Sequence, residues 1–173
     1  NQTVMSSDDT GGTVLQGGIV VRKLLDNILS LAFAGYMILL IYFLFFSEEY
    51  GRTVHYTEYQ YNLKLFHEIS RYIKYREVVG MEYFLINIVG NVVVFMPFGF
   101  FVPSLKNWSF MRVVLTGFLF SLAVETVQLV TKVGTFDVDD LFLNTIGVTL
   151  GCIMFYFCRK IFRAVRKKKG RER

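Results

Sequence analysis

Hydrophobic and polar positions along this chain fall into long blocks rather than short periods. Four apolar runs, at 28–46, 84–102, 113–130 and 141–157, approach the ~17–25 residues that a helix needs to cross a bilayer. The first is uninterrupted by charge, and the fourth is short enough that it should begin slightly earlier or tilt less. Between the first two runs, Leu63, Phe66, Ile69 and Ile73 recur at three- and four-residue steps, with Lys64, His67, Glu68, Arg71 and Lys74 on the other faces. That spacing predicts an amphipathic helix over about 62–76, lying in the outer membrane interface. Tyr50, Tyr56, Tyr59, Tyr61, Tyr72 and Tyr75 add rings that favour the headgroup level. The expected fold is an all-α membrane protein, a bundle of four transmembrane helices plus this interfacial helix.

Composition supports the pattern. A chain of 173 residues that is 53% hydrophobic and 17% aromatic, with a mean hydropathy of +0.42, is too apolar for an ordinary soluble domain. The first run exceeds the ~7–15 apolar residues of a signal peptide, and Ser47, Glu48, Glu49 and Tyr50 after it supply no small-x-small cleavage site. It should stay as an anchor. Residues 1–18, rich in Gly, Thr, Ser and Asp, are expected to be flexible; 19–158 form one membrane domain without internal repeat, and 159–173 a basic tail.

Charge then sets orientation. Arg22, Lys23, Lys106, Arg112 and nine basic residues between Arg159 and Arg173 fall on one side, against Arg52, Lys64, Arg71, Lys74, Arg76 and Lys132 on the other. Thirteen against six, with a short loop on the richer side, places both termini in the cytoplasm. A basic tail just after a span faces anionic lipid headgroups, so membrane lipids rather than nucleic acid are the expected partner. Cys152 and Cys158 are six residues apart on one helical run, a spacing that does not bring them together for a disulfide. A packed thiol is the default for both, with acylation an alternative for Cys158 near the basic end. His55 and His67 are too isolated to read as metal ligands.

The chemistry concentrates on polar residues inside the apolar runs. Glu125 lies in the middle of the third, and a carboxylate there is costly enough to face a protein interior or a wet cavity. Gln128 shares its helical face, Asn87 and Asn91 share one in the second run, and Asp140 and Asn144 share one in the fourth. With the inferred topology and a rise of ~1.5 Å per residue, Asn91 lies roughly 10 Å and Glu125 roughly 8 Å below the outer surface. Gln128 and Asn144 fall at similar or shallower depth, and Asp137, Asp139 and Asp140 stand at the rim. The expected site is an outward-facing polar pocket of Asn91, Glu125, Gln128, Asp137, Asp139, Asp140 and Asn144. Pro97 should kink the second span by freeing the Val93 carbonyl, and Gly147 with Gly151 forms a small-xxx-small pair suited to close helix approach.

Three segments in order carry a resemblance. The second run reads Asn91, then Phe95, Pro97 and Gly99; the third has Glu125 and Gln128; the fourth opens Phe136, Asp137, Val138, Asp139, Asp140 and continues to Asn144 and Gly147. Together they resemble the VanZ-like family of bacterial membrane proteins, named for a determinant of teicoplanin resistance. The resemblance covers about 87–151, with 62–66 similar to a weaker family element. It implies a small multi-span protein of the cytoplasmic membrane that lowers sensitivity to glycopeptides carrying a lipid tail, without remodelling the peptidoglycan terminus. No agreed catalytic activity accompanies it. Many members place a basic residue just before the Phe-Asp-x-Asp-Asp element, where this chain has Gly134 and Thr135 and the nearest cation is Lys132.

Bland readings stand beside the sharp ones. Glu125 also fits an interhelical hydrogen bond with the acid kept neutral by burial. The aspartates fit a helix start, where one carboxylate is enough to cap; three within four residues also admit a divalent cation at Asp137, Asp139 and Asp140, since Mg²⁺ uses a few carboxylates with waters or phosphates. Three functions follow. The first is binding of an amphiphile, either an antibiotic acyl tail or a lipid-linked cell-wall precursor. The second is a membrane enzyme acting on a lipid headgroup or lipid phosphate, although the chain offers no nucleophile–His pair and no Arg-rich phosphate clamp. The third is a lipid transporter, for which four spans without a repeat are few.

Overall fold

Long apolar blocks without strand-like alternation can satisfy their backbone in hydrocarbon only as helices, and helices are what they form. The computed structural model describes residues 9–46, 57–75 and 80–169. Helix α1 is Asp9–Phe46. After it come a two-residue strand β1 (Tyr61–Asn62) and a short helix α2 (His67–Lys74). A single turn α3 (Met81–Phe84) runs through a π-helical turn at Leu85–Val89 into α4 (Gly90–Lys106). Helix α5 (Phe110–Thr131), strand β2 (Phe136–Asp137) and α6 (Val138–Lys169) complete the order. Four stretches are long and apolar enough to cross a membrane: Ile19–Phe46, Leu85–Lys106, Phe110–Thr131 and Val138–Lys168. Each expected run lies at one of them, although the first span, Ile19–Phe46, begins well before position 28 and the fourth, Val138–Lys168, continues well past position 157.

Two expectations change. The backbone of α1 is helical back to Asp9, within the stretch expected to be flexible; a helix already nucleated by an apolar span propagates at little further cost. Residues 1–8 lie outside the described residues. The helix expected over 62–76 is confined to His67–Lys74. Asn62 instead joins a parallel strand pair, with Tyr61 beside Phe136 and Asn62 beside Asp137. Phe66 takes a left-handed conformation (φ 63°) that starts the helix afresh. Residue 76 and Tyr50 and Tyr56 of the expected ring belt are likewise outside the described residues.

The centre of the bundle is the contact between α4 and α6, and glycine makes it. A Cβ on Gly99 would lie 1.9 Å from the Val148 carbonyl oxygen, and one on Gly151 would lie 1.9 Å from that of Met96. On Gly147 it would come within 2.2 Å of the Val92 oxygen. The expected small-xxx-small pair therefore does bring backbones together, with Gly99 as its counterpart on α4. Val148, fully buried, reaches across to α5, where a Cβ on Gly117 would meet its methyls at 2.6 Å. Phe95, Phe98, Val113, Val124 and Cys152 fill the space around it, with Phe98 and Phe120 stacked at 5.4 Å.

Helix α4 passes through Pro97 and Pro103 without ending. The Tyr36 hydroxyl of α1 donates to the Val94 carbonyl at 2.9 Å, next to the Val93 carbonyl that Pro97 deprives of its usual donor. The Phe98 backbone N–H meets the same hydroxyl. The Tyr36 side chain thus reaches the backbone of α4 beside the proline, where a helix is open to such an insertion.

Candidate functional site

Six of the seven residues expected to share a site are buried and the seventh, Asp140, is half-buried; they occupy one end of the bundle, where α1 and α5 finish and α6 begins. The chain delivers them there by helix periodicity. On α5, Ser121, Glu125 and Gln128 lie at steps of four and three and so form a polar stripe on an otherwise apolar helix. On α6, Asp140 and Asn144 stand one turn apart.

Direct contacts link these elements. Asn91 Nδ2 donates to Asp140 Oδ1 at 2.6 Å, joining α4 to α6. Glu125 Oε2 accepts the Asp137 backbone N–H at 3.2 Å, joining α5 to β2, and Glu125 is only 2% exposed. Gln128 Nε2 donates to the Leu44 carbonyl at 2.8 Å, closing the end of α1 onto α5. One turn deeper, Asn144 Nδ2 donates to Ser121 Oγ at 2.9 Å. Two acceptors in this set, Gln128 Oε1 and Asn144 Oδ1, are buried without a hydrogen-bond partner. Such an orphan acceptor typically costs ~1–3 kcal/mol.

The three aspartates do three different jobs. Asp137 Oδ1 accepts the Asp139 N–H at 2.8 Å, which makes Asp137 the cap of its own helix, α6. Its carboxylate also accepts from Asn62 Nδ2, 3.3 Å from each oxygen. Asp139 caps a different helix. Its Oδ2 accepts the N–H groups of Glu68 at 2.8 Å and Ile69 at 3.1 Å, while its Oδ1 takes that of Phe66, so the orphan donors at the start of α2 end on α6. Asp140 turns the other way, to Asn91. The trio is therefore not a common ligand set, and among the described residues no three His, Cys, Asp or Glu side chains are grouped to hold a metal ion.

Electrostatics follow the burial. Burial pushes the Asp137 carboxyl above the usual carboxylate range, against the lowering effect of the Asp139 N–H and the Asn62 amide; the charges of Asp139 and Glu68 raise it further. On α2, burial likewise raises the Tyr72 hydroxyl, and the charge of Asp140 adds to the rise. Lys132, the nearest cation in sequence, goes elsewhere. It ends α5 in a left-handed conformation (φ 58°), donates to the Thr57 carbonyl at 2.7 Å and lies 4.9 Å from the Tyr59 ring. His67 and Glu68 pair with each other on the exposed side of α2, where Arg71 also reaches Glu68 at 2.5 Å.

Three contributors were missing from the sequence reading: Ser121, the Leu44 carbonyl, and Asn62 in its role as partner to Asp137. Ser121 was within reach, since it precedes Glu125 by one helical turn on the same face. A backbone carbonyl at a helix end and a contact between residues 75 positions apart leave no local signal. Chemically, the arrangement is a set of buried acids and amides with spare acceptors, suited to receiving N–H or O–H donors.

Comparison with curated proteins and with solved structures finds no match. The VanZ/LLP1 family model matches residues 33–159, from within α1 to the basic part of α6 and over every segment that builds the polar layer. That is well over half of the chain, which therefore belongs to the VanZ/LLP1 family of membrane proteins.

Proposed function

We propose that this protein lowers bacterial sensitivity to teicoplanin and related lipoglycopeptides by binding an amphiphile, an antibiotic acyl tail or a lipid-linked cell-wall precursor, at the polar layer. The observation that supports this reading is the pair of orphan acceptors, Gln128 Oε1 and Asn144 Oδ1, in a layer assembled from α1, α4, α5, β2 and α6. An interior stabilised only by packing has no use for unsatisfied amides. The amphiphile's polar group supplies donors at the layer, and its tail lies along the lipid-facing helices. Both termini face the cytoplasm in this reading, on the side of the thirteen cations, so that the layer opens toward the outer leaflet.

The test separates shape from chemistry. Glu125→Gln keeps an acceptor for the Asp137 N–H and Asp140→Asn keeps one for Asn91, so both variants should express and fold. In a susceptible bacterial host each is expected to abolish the increase in teicoplanin inhibitory concentration that the wild-type protein confers. Full resistance in both would end the assignment of the site. Purified protein should also bind a lipidated glycopeptide in preference to one without a tail, and equal or absent binding of the two would remove the amphiphile.

A further inference from the structure

The opposite end of α6 carries a second polar feature, separate from the layer above and independent of the function proposed for it. Tyr156, Arg159, Lys160 and Arg163 follow one another at steps of three, one and three, so they share one helical face. Together they line a recess of about 250 Å³. Arg159 is half-buried in it, and Lys160 and Arg163 are exposed. Among the described residues none of the three cations has a carboxylate partner, and neither α4, the 107–109 loop nor α6 beyond Asp140 contains an acid.

Depth gives this recess its meaning. The Tyr156 hydroxyl donates to the Trp108 carbonyl at 2.9 Å, which ties α6 to the loop between α4 and α5. From Val138 to Tyr156 the helix rises ~27 Å at ~1.5 Å per residue, close to the ~30 Å of a hydrocarbon core. With the start of α6 at one interface, the recess opens at the headgroup level of the other. Trp108 and Tyr156 are the ring types that settle there. Immediately beyond them stand the two guanidinium groups and the ammonium, and the planar fork of arginine suits phosphate oxygens.

The geometry points to a binding site for the phosphate of an anionic glycerophospholipid, held by Arg159, Lys160 and Arg163 against the Tyr156–Trp108 contact. The headgroup sits in the recess and its acyl chains lie down the apolar flank of α6, where Ile153, Met154 and Phe157 are exposed.

The experiment uses the full-length protein in nonionic detergent at physiological salt, titrated with short-chain phosphatidylglycerol, short-chain phosphatidylcholine and inorganic phosphate, with binding read by native mass spectrometry. Phosphatidylglycerol should bind about tenfold or more tighter than phosphatidylcholine. The triple variant Arg159→Gln, Lys160→Gln, Arg163→Gln should remove that preference, whereas Lys167→Gln with Lys168→Gln, further along the tail, should leave it within about twofold. Equal binding of the two lipids overturns the proposal. So does a comparable loss in both variants, which would mean diffuse attraction by the tail. Inorganic phosphate competing at the same concentration as the lipid overturns it in favour of a free-phosphate site. If the triple variant does not fold, Arg163→Glu alone, at an exposed position, decides: a fall of about tenfold in phosphatidylglycerol affinity supports the site, and unchanged affinity overturns it.

Discussion

Where α4 and α6 cross at Gly99, Gly147 and Gly151 their backbones touch, while two turns away the same helices are held by the 2.6 Å bond between Asn91 and Asp140. The first region has no polar side chains to satisfy and no room to spare. The second is built from acids and amides, and not all of its acceptors are satisfied. In lipid, helices gain little by hiding apolar surface from one another, so close backbone packing is the main source of association. A buried polar layer adds less, because interhelical hydrogen bonds contribute only ~0.6 kcal/mol on average in a membrane. The glycine contact is what stability requires. The polar layer is more than stability requires, and that excess is the physical ground for assigning it a function.

The comparison breaks first, and most severely, at the glycines. Gly99→Ala and Gly151→Ala each place a methyl carbon 1.9 Å from a backbone carbonyl oxygen, a clash that only helix displacement can relieve. Each should cost about 3 kcal/mol or more, seen as a large drop in the unfolding temperature of the purified protein in detergent. Gly35→Ala on α1 is the control, since nothing lies within 4 Å of the added carbon. It should be neutral or raise stability by up to about 1 kcal/mol through helix propensity. Similar losses at all three positions would mean that the α4–α6 contact is not the centre of the bundle.

Much of this division was legible in the sequence. Hydropathy located the four spans because a bilayer allows a long apolar run little other than a helix. A constant rise per residue was enough to put Asn91, Glu125, Asp140 and Asn144 near one level, although it could not pair them. The small-xxx-small spacing of Gly147 and Gly151 announced close approach, but Gly99 was not identified as their counterpart because which helices meet is a tertiary fact. Least legible was the rim. Asp139 sits in the first turn of its own helix, yet its carboxylate caps α2, and the Asn62–Asp137 pairing closes a loop of 75 residues. Contacts of that length are absent from any local pattern, which is also why the extent of α2 was overestimated.

A gentler probe acts on the rim. With its carboxyl raised by burial, Asp137 binds a proton more tightly in the folded protein than in the unfolded chain. The sign follows from linkage: its contribution to stability is fully present below the ordinary carboxylate pKa and is lost as pH rises through the elevated one. Unfolding temperature should therefore decline as pH increases across the range just above the ordinary value. In Asp137→Asn, which keeps an oxygen for the Asp139 N–H, that part of the decline should flatten. An unchanged pH profile in the variant would mean that the rim carboxyl is already solvated like an exposed one.

The smallest change in stability should come from the deepest polar pair. Ser121→Ala with Asn144→Leu removes both ends of the 2.9 Å bond and, with them, the orphan Asn144 Oδ1. Replacing both partners by apolar groups is close to neutral in general, so the double variant should unfold within about 1 kcal/mol of wild type. If the layer serves binding, this variant remains as stable as its parent and still loses the proposed teicoplanin phenotype. If the layer serves only to hold α5 against α6, it keeps the phenotype. A marked loss of stability would be the third result and would erase the contrast between glycine seam and polar layer. Only the first result, deletion without cost to the fold but with loss of the proposed resistance, would show that the layer is maintained for binding.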